Sequence, residues 1–299
     1  MTSAPLWPAQ LDHVVRESDQ AASLVDFYCA AFGFSAREAG AGQWLLEAPQ
    51  RRLCIRSGQR GAQPLHAFRI GSSSQLAALR DWCESYQLVA EPFASPWLSD
   101  GFALTDPDGR KIAFGLATAA PATPVDTAPS AAARLPGRLQ HVVVATDNLP
   151  RITAFYRDML GFLVSDDVVE SGPIEAASTT DEATPREVTA SFFRSDPEHH
   201  SFAAFRAPQP RPDHISFEVG DWNAIRDWAD HMGDCHIKLW WGPGRHGPGN
   251  NLFFMIEDPE GYKLELSAEL EIVPAQVAPR TWKHEERTLN LWGNAWMRS

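Results

Sequence analysis

The sequence is short of positive charge and has no long apolar run. Lysine and arginine total 26 against 38 aspartates and glutamates, and the formal net charge is −12. Because nucleic-acid backbones are bound by concentrated positive charge, this balance argues against a nucleic-acid-binding protein. No stretch approaches the roughly 20 consecutive apolar residues that a membrane helix needs. We therefore expect neither nucleic acid nor a membrane as a partner.

Paired cysteines are also missing. The four cysteines, at positions 29, 54, 83 and 235, form no Cys-x-x-Cys motif, so neither a zinc ribbon nor a disulfide framework is expected. The first residues lack the basic segment and apolar stretch of a secretory signal, and we expect a cytoplasmic protein. Tyrosine is scarce, at four residues, whereas there are 10 histidines and 11 tryptophans.

Two copies of one pattern divide the chain. Leu-Asp-His-Val-Val at 11–15 recurs as Leu-Gln-His-Val-Val at 139–143, and Phe-Tyr begins fourteen residues after each histidine. Each copy also ends in Asp-Pro-acid-Gly-x-Lys, at 106–111 and 258–263. Shared offsets over such a distance indicate a duplicated module. We predict an N-terminal module over 1–118, a Pro/Ala-rich linker over 119–137, a C-terminal module over 138–270 and a tail over 271–299, with an acidic surface loop at about 166–187.

Hydrophobic patterning predicts the fold of each module. A β-branched strand contains His141, Asn148 begins a helix with Pro150 in its first turn, and Gly161 ends that helix. Further strands are expected near 163–169, 188–194, 201–206, 213–219, 236–241, 252–256 and 262–267, with a helix over 224–232. The predicted class is α+β: two tandem modules of paired βαβββ motifs, each forming an open, mixed, barrel-like sheet with helices outside.

Three residues of the second copy suit a metal. His141, His214 and Glu265 each lie on a predicted strand flanked by apolar residues, and two imidazoles with one carboxylate form the facial triad of non-heme Fe(II) enzymes. A single strand histidine is more often satisfied by a neighbouring carbonyl. The first copy, however, has His13 and His66 at positions that we interpret as equivalent, and alanine, Ala113, where the second has Glu265. One complete and one incomplete site are what a duplicated metal-binding module predicts.

With these motifs, the chain resembles the type I extradiol ring-cleavage dioxygenases of the vicinal oxygen chelate superfamily over 12–270. The likeness is strongest at 213–219 and 242–266. It implies Fe(II), occasionally Mn(II), held by His141, His214 and Glu265, a catechol-type aromatic substrate cleaved with O2 in aromatic catabolism, and a homo-oligomer of two or four chains.

The resemblance also implies roles for two further histidines. His200, in Glu-His-His-Ser-Phe-Ala, matches an acid–base histidine of the family, and His246, in Arg-His-Gly, matches one that hydrogen-bonds a substrate oxygen. A histidine near its ordinary pKa suits proton transfer. We expect His199 at the surface and retain it as a weaker candidate for substrate contact.

Two positions depart from the family pattern. Met255 stands where many members have a tyrosine that hydrogen-bonds substrate, and Trp241 where some have an arginine for an anionic substrate. A substrate with a carboxylate side chain is therefore disfavoured. Trp241, Phe253 and Met255 are candidate substrate contacts in an aromatic pocket, and the tail is expected to form a lid or an oligomer contact.

Two other functions on the same fold remain open. One is a glyoxalase- or isomerase-type metalloenzyme, whose ligands usually come from two modules. The other is a metal-free small-molecule-binding protein. Metal analysis separates the second from the two enzymes.

Overall fold

The structure, a computed structural model, describes residues 4–40, 42–118, 131–170 and 187–297. Each copy of the repeat forms one large, open sheet that mixes parallel and antiparallel pairs. Within the described residues, the first sheet has eight strands and the second has nine. None of the helices in the described part of the chain is long and apolar enough to cross a membrane.

The described residues of the first copy form eight strands and two helices. They are β1 (Ala9–Ser18), α1 (Ala21–Phe32), β2 (Ser35–Glu38), β3 (Gln43–Ala48), β4 (Arg51–Ser57), β5 (Leu65–Ile70), α2 (Ser73–Ser85), β6 (Glu91–Phe93), β7 (Leu98–Thr105) and β8 (Lys111–Ala117). A short helix, α3 (Ala131–Arg134), lies in the predicted linker, of which 119–130 fall outside the described residues.

The second copy repeats this order. It contains β9 (Arg138–Thr146), α4 (Leu149–Thr153, continued by a wider π turn over Ala154–Met159), β10 (Leu163–Val169), β11 (Val188–Arg194), β12 (Phe202–Arg206), β13 (Arg211–Glu218), α5 (Trp222–Asp234), β14 (Trp241–Arg245), β15 (Leu252–Glu257) and β16 (Lys263–Ala268). The tail adds β17 (Arg280–Lys283) and α6 (Glu286–Leu289). The strand order is β2-β3-β4-β1-β5-β8-β7-β6 in the first sheet and β14-β15-β16-β13-β9-β12-β11-β10-β17 in the second.

The pairing confirms two βαβββ motifs in each copy. β1 pairs parallel to β4 and antiparallel to β5, just as β9 pairs parallel to β12 and antiparallel to β13. The predicted helix start is confirmed, because the Asn148 side chain accepts a hydrogen bond from the Arg151 amide.

Two local predictions were wrong. The strand expected at 236–241 begins only at Trp241, because the chain turns after α5 at His236, whose φ is 57°. The acidic loop is shorter than predicted at its start, since 166–169 continue β10. The rest of that loop, 171–186, lies outside the described residues.

The two modules share one continuous hydrophobic core, with Phe32 of α1 packed 5.1 Å from Phe217 of β13 between ring centroids. The turn that ends the second module also contacts the first. Asp258 accepts hydrogen bonds from the Arg16 guanidinium at 2.5 Å and the Tyr28 hydroxyl at 3.3 Å, all three groups being buried. The repeated Asp-Pro-acid-Gly turn therefore joins the modules.

The reciprocal contact uses the equivalent aspartate and tyrosine of the other copy, with an arginine from a different position. Asp106 of the first module accepts a hydrogen bond from the Tyr156 hydroxyl of the second at 3.2 Å and from the Arg110 guanidinium at 2.8 Å. The Phe-Tyr pair and the acidic turn, which first revealed the repeat, thus form a pseudo-twofold interface.

Candidate metal centre

Three neighbouring strands bring His141, His214 and Glu265 together. Ser216 on β13 is paired with His141 on β9 and with Glu265 on β16, which places the three side chains on one face of the sheet. A ligand atom from each lies within 4.8 Å of the other two. All three residues are at most 4% exposed.

Neighbouring polar groups orient these three side chains. The Nδ1 atoms of His141 and His214 lie 2.5 Å from Gln140 Oε1 and 2.6 Å from Asp213 Oδ1, so each Nε2 is turned inward. His214 Nε2 lies 3.2 Å from Glu265 Oε2, and His141 Nε2 lies 3.9 Å from the same atom. Such partners fix the tautomer and direction of metal-binding histidines, so the donor set fits a divalent transition metal.

The Glu265 side chain is an ionised carboxylate. Burial alone would raise the pKa of Glu265, but the close imidazoles of His214 and His246 hold it well below its usual value. Asn251 donates a further hydrogen bond to Glu265 Oε1 at 3.2 Å. A charged oxygen therefore faces the Nε2 atoms of His141 and His214, which is the donor set of a 2-His-1-carboxylate site.

Two further histidines border the same centre. The ring of His200 lies 4.3 Å from that of His141, centroid to centroid. His246 Nε2 lies 3.9 Å from Glu265 Oε2, while its Nδ1 lies 2.5 Å from the carbonyl oxygen of Leu289. Because a carbonyl only accepts, His246 carries its hydrogen on Nδ1 and turns Nε2 towards the centre.

The expectation that His200 titrates near its ordinary pKa was wrong. Its ring is buried, and burial together with the neighbouring His141 and His199 lowers its pKa well below the usual value. Burial disfavours the imidazolium form, so His200 is a neutral side chain in this structure.

His199 is not at the surface, which corrects the main expectation for that residue. Its side chain is 0% exposed, with Nδ1 2.9 Å from His200 Nδ1 and Nε2 2.9 Å from Asp166 Oδ2. Asp166 also accepts hydrogen bonds from Arg280 and Trp282 of the tail. Asp166 was missed because the acidic composition of its segment indicated a loop, and no sequence spacing relates it to 280–282.

The triad opens into a cavity of about 480 Å³, its mouth included. Its remaining walls are largely apolar and come from β9, β11, β12, the loop after β14 and α6 of the tail: Val143, Ala190, Phe192, Ala203, Ala204, Phe205, Pro248, Thr288 and Leu289. Among the described residues that line it, none is lysine or arginine. The tail therefore closes part of the cavity, and the walls suit an uncharged aromatic ring.

The other three predicted substrate contacts do not line this cavity. Phe253 is stacked on the far side of His246, with ring centroids 3.8 Å apart, and Trp241 lies 5.5 Å from His246. Trp241 donates its indole hydrogen to the carbonyl of Asn294. Met255 is fully buried beside Glu265 in the β15–β16 pairing. In this structure these residues support His246 and the tail.

The first copy shows why it has no equivalent site. By strand register, Ala67 pairs with His13 and Ala113, as Ser216 pairs with His141 and Glu265. His66 is one residue out of phase, and Leu65 takes the position of His214. The interpretation of His66 as equivalent to His214 was therefore wrong, because neighbouring strand residues face opposite sides of a sheet.

Apolar side chains occupy the corresponding face of the first module. Leu65 and Phe93 pack against an alanine- and leucine-lined cluster that includes Ala113. The ring of His13 lies against Trp97, at 4.8 Å, and Phe93, at 6.2 Å. Within the described residues, the single cluster of three metal-ligand side chains is the one in the second module.

Comparisons with known proteins find relatives that match about half of the chain. Metapyrocatechase 2 of Cupriavidus necator is 33% identical over 160 residues, 53% of this chain and 45% of that protein. An iron-dependent extradiol dioxygenase of Rhodococcus jostii RHA1 is 29% identical over 160 residues, 52% of this chain and 50% of that one. The chain thus spans about half the length of the curated relatives it matches.

Solved structures share the fold over nearly the whole chain. A Mn(II)-bound glyoxalase from Novosphingobium aromaticivorans superposes with a TM-score of 0.76 at 23% identity, covering 95% of this chain and 90% of that one. Homoprotocatechuate 2,3-dioxygenase from Arthrobacter globiformis superposes with a TM-score of 0.75 at 21% identity, covering 99% and 93%. The model of the Glyoxalase/Bleomycin resistance protein/Dioxygenase superfamily matches residues 138–266. The matched residues contain the buried His-His-Glu cluster, so this part of the chain is similar to that superfamily.

Proposed function

We propose that this protein is an Fe(II)-dependent extradiol dioxygenase that opens the ring of a catechol-type substrate beside its two hydroxyls. The observation that supports it is a buried triad, His141, His214 and Glu265, opening into an apolar cavity that His200 and His246 border. The curated relatives named metapyrocatechase and extradiol dioxygenase support the same activity. Mn(II) is the alternative metal, since a structural neighbour binds it.

Bound Fe(II) supplies redox chemistry and open coordination positions for substrate and dioxygen in such a triad. Both atoms of O2 enter the ring-opened product, so the reaction needs no external reductant. The protein supplies proton handling. His246 Nε2 has a lone pair facing the centre, because Nδ1 is bound to Leu289, and it accepts a hydrogen from a substrate hydroxyl. His200, at the cavity wall, is the second proton carrier.

The apolar walls bind the ring and exclude water. Phe192, Phe205 and Leu289 face the space beside the triad. With no cation among the described wall residues, the cavity suits a catechol with an uncharged substituent better than one with a carboxylate side chain. In this proposal Trp241, Phe253 and Met255 do not contact the substrate themselves. They act on it indirectly, by packing against His246 and Glu265.

Two features disfavour a glyoxalase- or isomerase-type site. All three donors come from one module, and Leu65 and Ala113 make the corresponding face of the other module apolar. A metal-free binding protein has no need of oriented imidazoles around a buried carboxylate. The module boundaries at 118, 137 and 270, the cytoplasmic location and a homo-oligomer of two or four chains belong to this proposal as well.

The test is anaerobic reconstitution with Fe(II), followed by oxygen and a panel of catechols. We expect oxygen uptake matched by a yellow ring-opened product. Glu265→Gln should lose stoichiometric iron, whereas the matched variant His13→Gln, at the equivalent strand position of the first module, should keep it. Iron-loaded protein that leaves every catechol intact overturns the proposed activity, and iron retained by Glu265→Gln overturns the ligand assignment.

A further inference from the structure

A chain of buried hydrogen bonds connects the C-terminal tail to the cavity. Asp166 Oδ2 lies 2.8 Å from the Trp282 indole nitrogen and 3.1 Å from an Arg280 guanidinium nitrogen, and 2.9 Å from His199 Nε2. His199 Nδ1 in turn lies 2.9 Å from Nδ1 of His200, which lines the cavity. Asp166 and His199 are fully buried.

The acidic end of this chain determines where its hydrogens lie. Burial tends to raise the pKa of Asp166, but hydrogen bonds from His199 and Arg280 hold it below the usual value. Asp166 is therefore a carboxylate, which only accepts hydrogen bonds, and His199 must carry a hydrogen on Nε2. A neutral His199 then has a bare Nδ1.

The contact between the two histidines transmits this constraint. Two ring nitrogens 2.9 Å apart form a hydrogen bond only when one of them, and not both, carries a hydrogen. With an uncharged His199 ring, whose hydrogen is bound to Asp166, the hydrogen of this contact lies on His200 Nδ1. Nε2 of His200 is then left with its lone pair.

We propose that Asp166 and His199 are positioning residues that hold His200 as the Nδ1–H tautomer and so present a bare Nε2 at the cavity. This rests on the proposed function only in giving His200 a proton to accept; the tautomer itself follows from the hydrogen-bond chain. Neither His199 nor Asp166 lines the cavity, so both act through His200.

The packing around the pair makes this arrangement stiff. The Phe192 ring lies 5.1 Å from the His200 ring and 5.8 Å from the His199 ring, so it contacts both. Arg280 is itself held by Glu271, through contacts of 2.7 and 2.9 Å. The tail thus contributes to the electrostatics of the site as well as to its wall.

The direct test is the tautomer of His200 by nitrogen NMR on the full chain, with ¹⁵N-histidine labelling and no added metal. We expect His200 with a protonated Nδ1 and an unprotonated Nε2. In His199→Phe, which removes both ring nitrogens while keeping an aromatic side chain, this preference should be lost. His199→Gln should restore it, since its amide can donate to Asp166 and accept from His200. His284→Gln, a change at a tail histidine that does not contact His199, is the matched control and should leave the spectrum of His200 unchanged.

Kinetics of the iron-loaded variants provide the second measurement. Loss of an orienting partner typically costs about 10–100-fold in activity, and we expect this loss in kcat for His199→Phe with KM nearly unchanged. Phenylalanine preserves the packing of the His199 ring better than glutamine does, whereas glutamine preserves its hydrogen bonds. Recovery of kcat in His199→Gln therefore indicates positioning by hydrogen bonds and not packing. A wild-type spectrum with hydrogen on Nε2 of His200 overturns the proposal, as does full kcat in His199→Phe. An inactive wild-type enzyme with the expected spectrum overturns the dioxygenase assignment and leaves the tautomer inference standing.

Discussion

The contact between the modules allows a prediction whose magnitude follows from the structure. In Asp258→Ala, the buried Arg16 guanidinium loses its 2.5 Å carboxylate partner, and the charged group that remains nearest is Glu260 at 3.5 Å. It also keeps two uncharged contacts, the Tyr28 hydroxyl at 2.7 Å and the face of the Tyr262 ring at 4.1 Å. Removing one partner of a buried ion pair costs about 3–5 kcal/mol, because an uncompensated charge stays buried. Asp258 Oδ1 also accepts from the backbone amides of Glu260 and Tyr262, and each such bond contributes about 1 kcal/mol.

We therefore expect Asp258→Ala to lower the free energy of unfolding by about 5 kcal/mol. At roughly 2 °C per kcal/mol, the value for larger domains, the melting temperature should fall by about 10 °C. Asp258→Asn keeps an oxygen for the two amides and should show a smaller loss. Asp106→Ala, the change at the equivalent turn of the first module, should cost less, because Arg110 keeps Asp108 as a close ion-pair partner. The exposed Asp230→Ala should change stability by less than about 0.5 kcal/mol.

Thermal unfolding followed by circular dichroism, with limited proteolysis as a second readout, tests this reasoning. Loss of the contact should expose the surface between the modules and speed cleavage of the chain. A melting temperature of Asp258→Ala within about 2 °C of wild type would refute the argument that Asp258 neutralises a buried Arg16, since the worked loss is several times larger.

Three further outcomes are expected. Ala113→Glu should not create a second metal site, because Leu65 faces that position. The buried carboxylate should instead destabilise the fold by several kcal/mol. A second equivalent of bound iron in metal analysis would contradict this prediction. Burial raises the pKa of Glu218 to about 7 in the folded protein, above its pKa in the unfolded chain. The folded state therefore loses stability as pH rises from the unfolded pKa to about 7, where the buried acid must ionise. Glu218→Gln should therefore leave the free energy of unfolding at pH 4 nearly unchanged and raise it by at most about 3 kcal/mol at pH 8. Variant and wild type with equal urea midpoints at both pH values would count against this prediction. His246→Phe should keep its iron and lower kcat by about 10²–10⁴-fold in the oxygen-uptake assay, and unchanged turnover would exclude a proton-handling role.

The repeat, the helix beginning at Asn148 and the three triad residues could be predicted from local patterns. A strand alternates its side chains between two faces, so flanking apolar residues indicate which way His141, His214 and Glu265 point. A capping residue likewise acts within one turn of helix. These properties depend on a few neighbouring residues, so they can be predicted from the sequence.

Strand register and burial were decided only by the tertiary structure. His66 resembles His214 in the sequence, yet a one-residue offset in pairing turns it to the opposite face. His199 appeared to be a surface residue because its burial comes from the tail, where Arg280 and Trp282 meet Asp166 across more than 100 residues of chain. Such contacts leave no local periodicity, since they form only when distant strands pair and bury the polar groups between them.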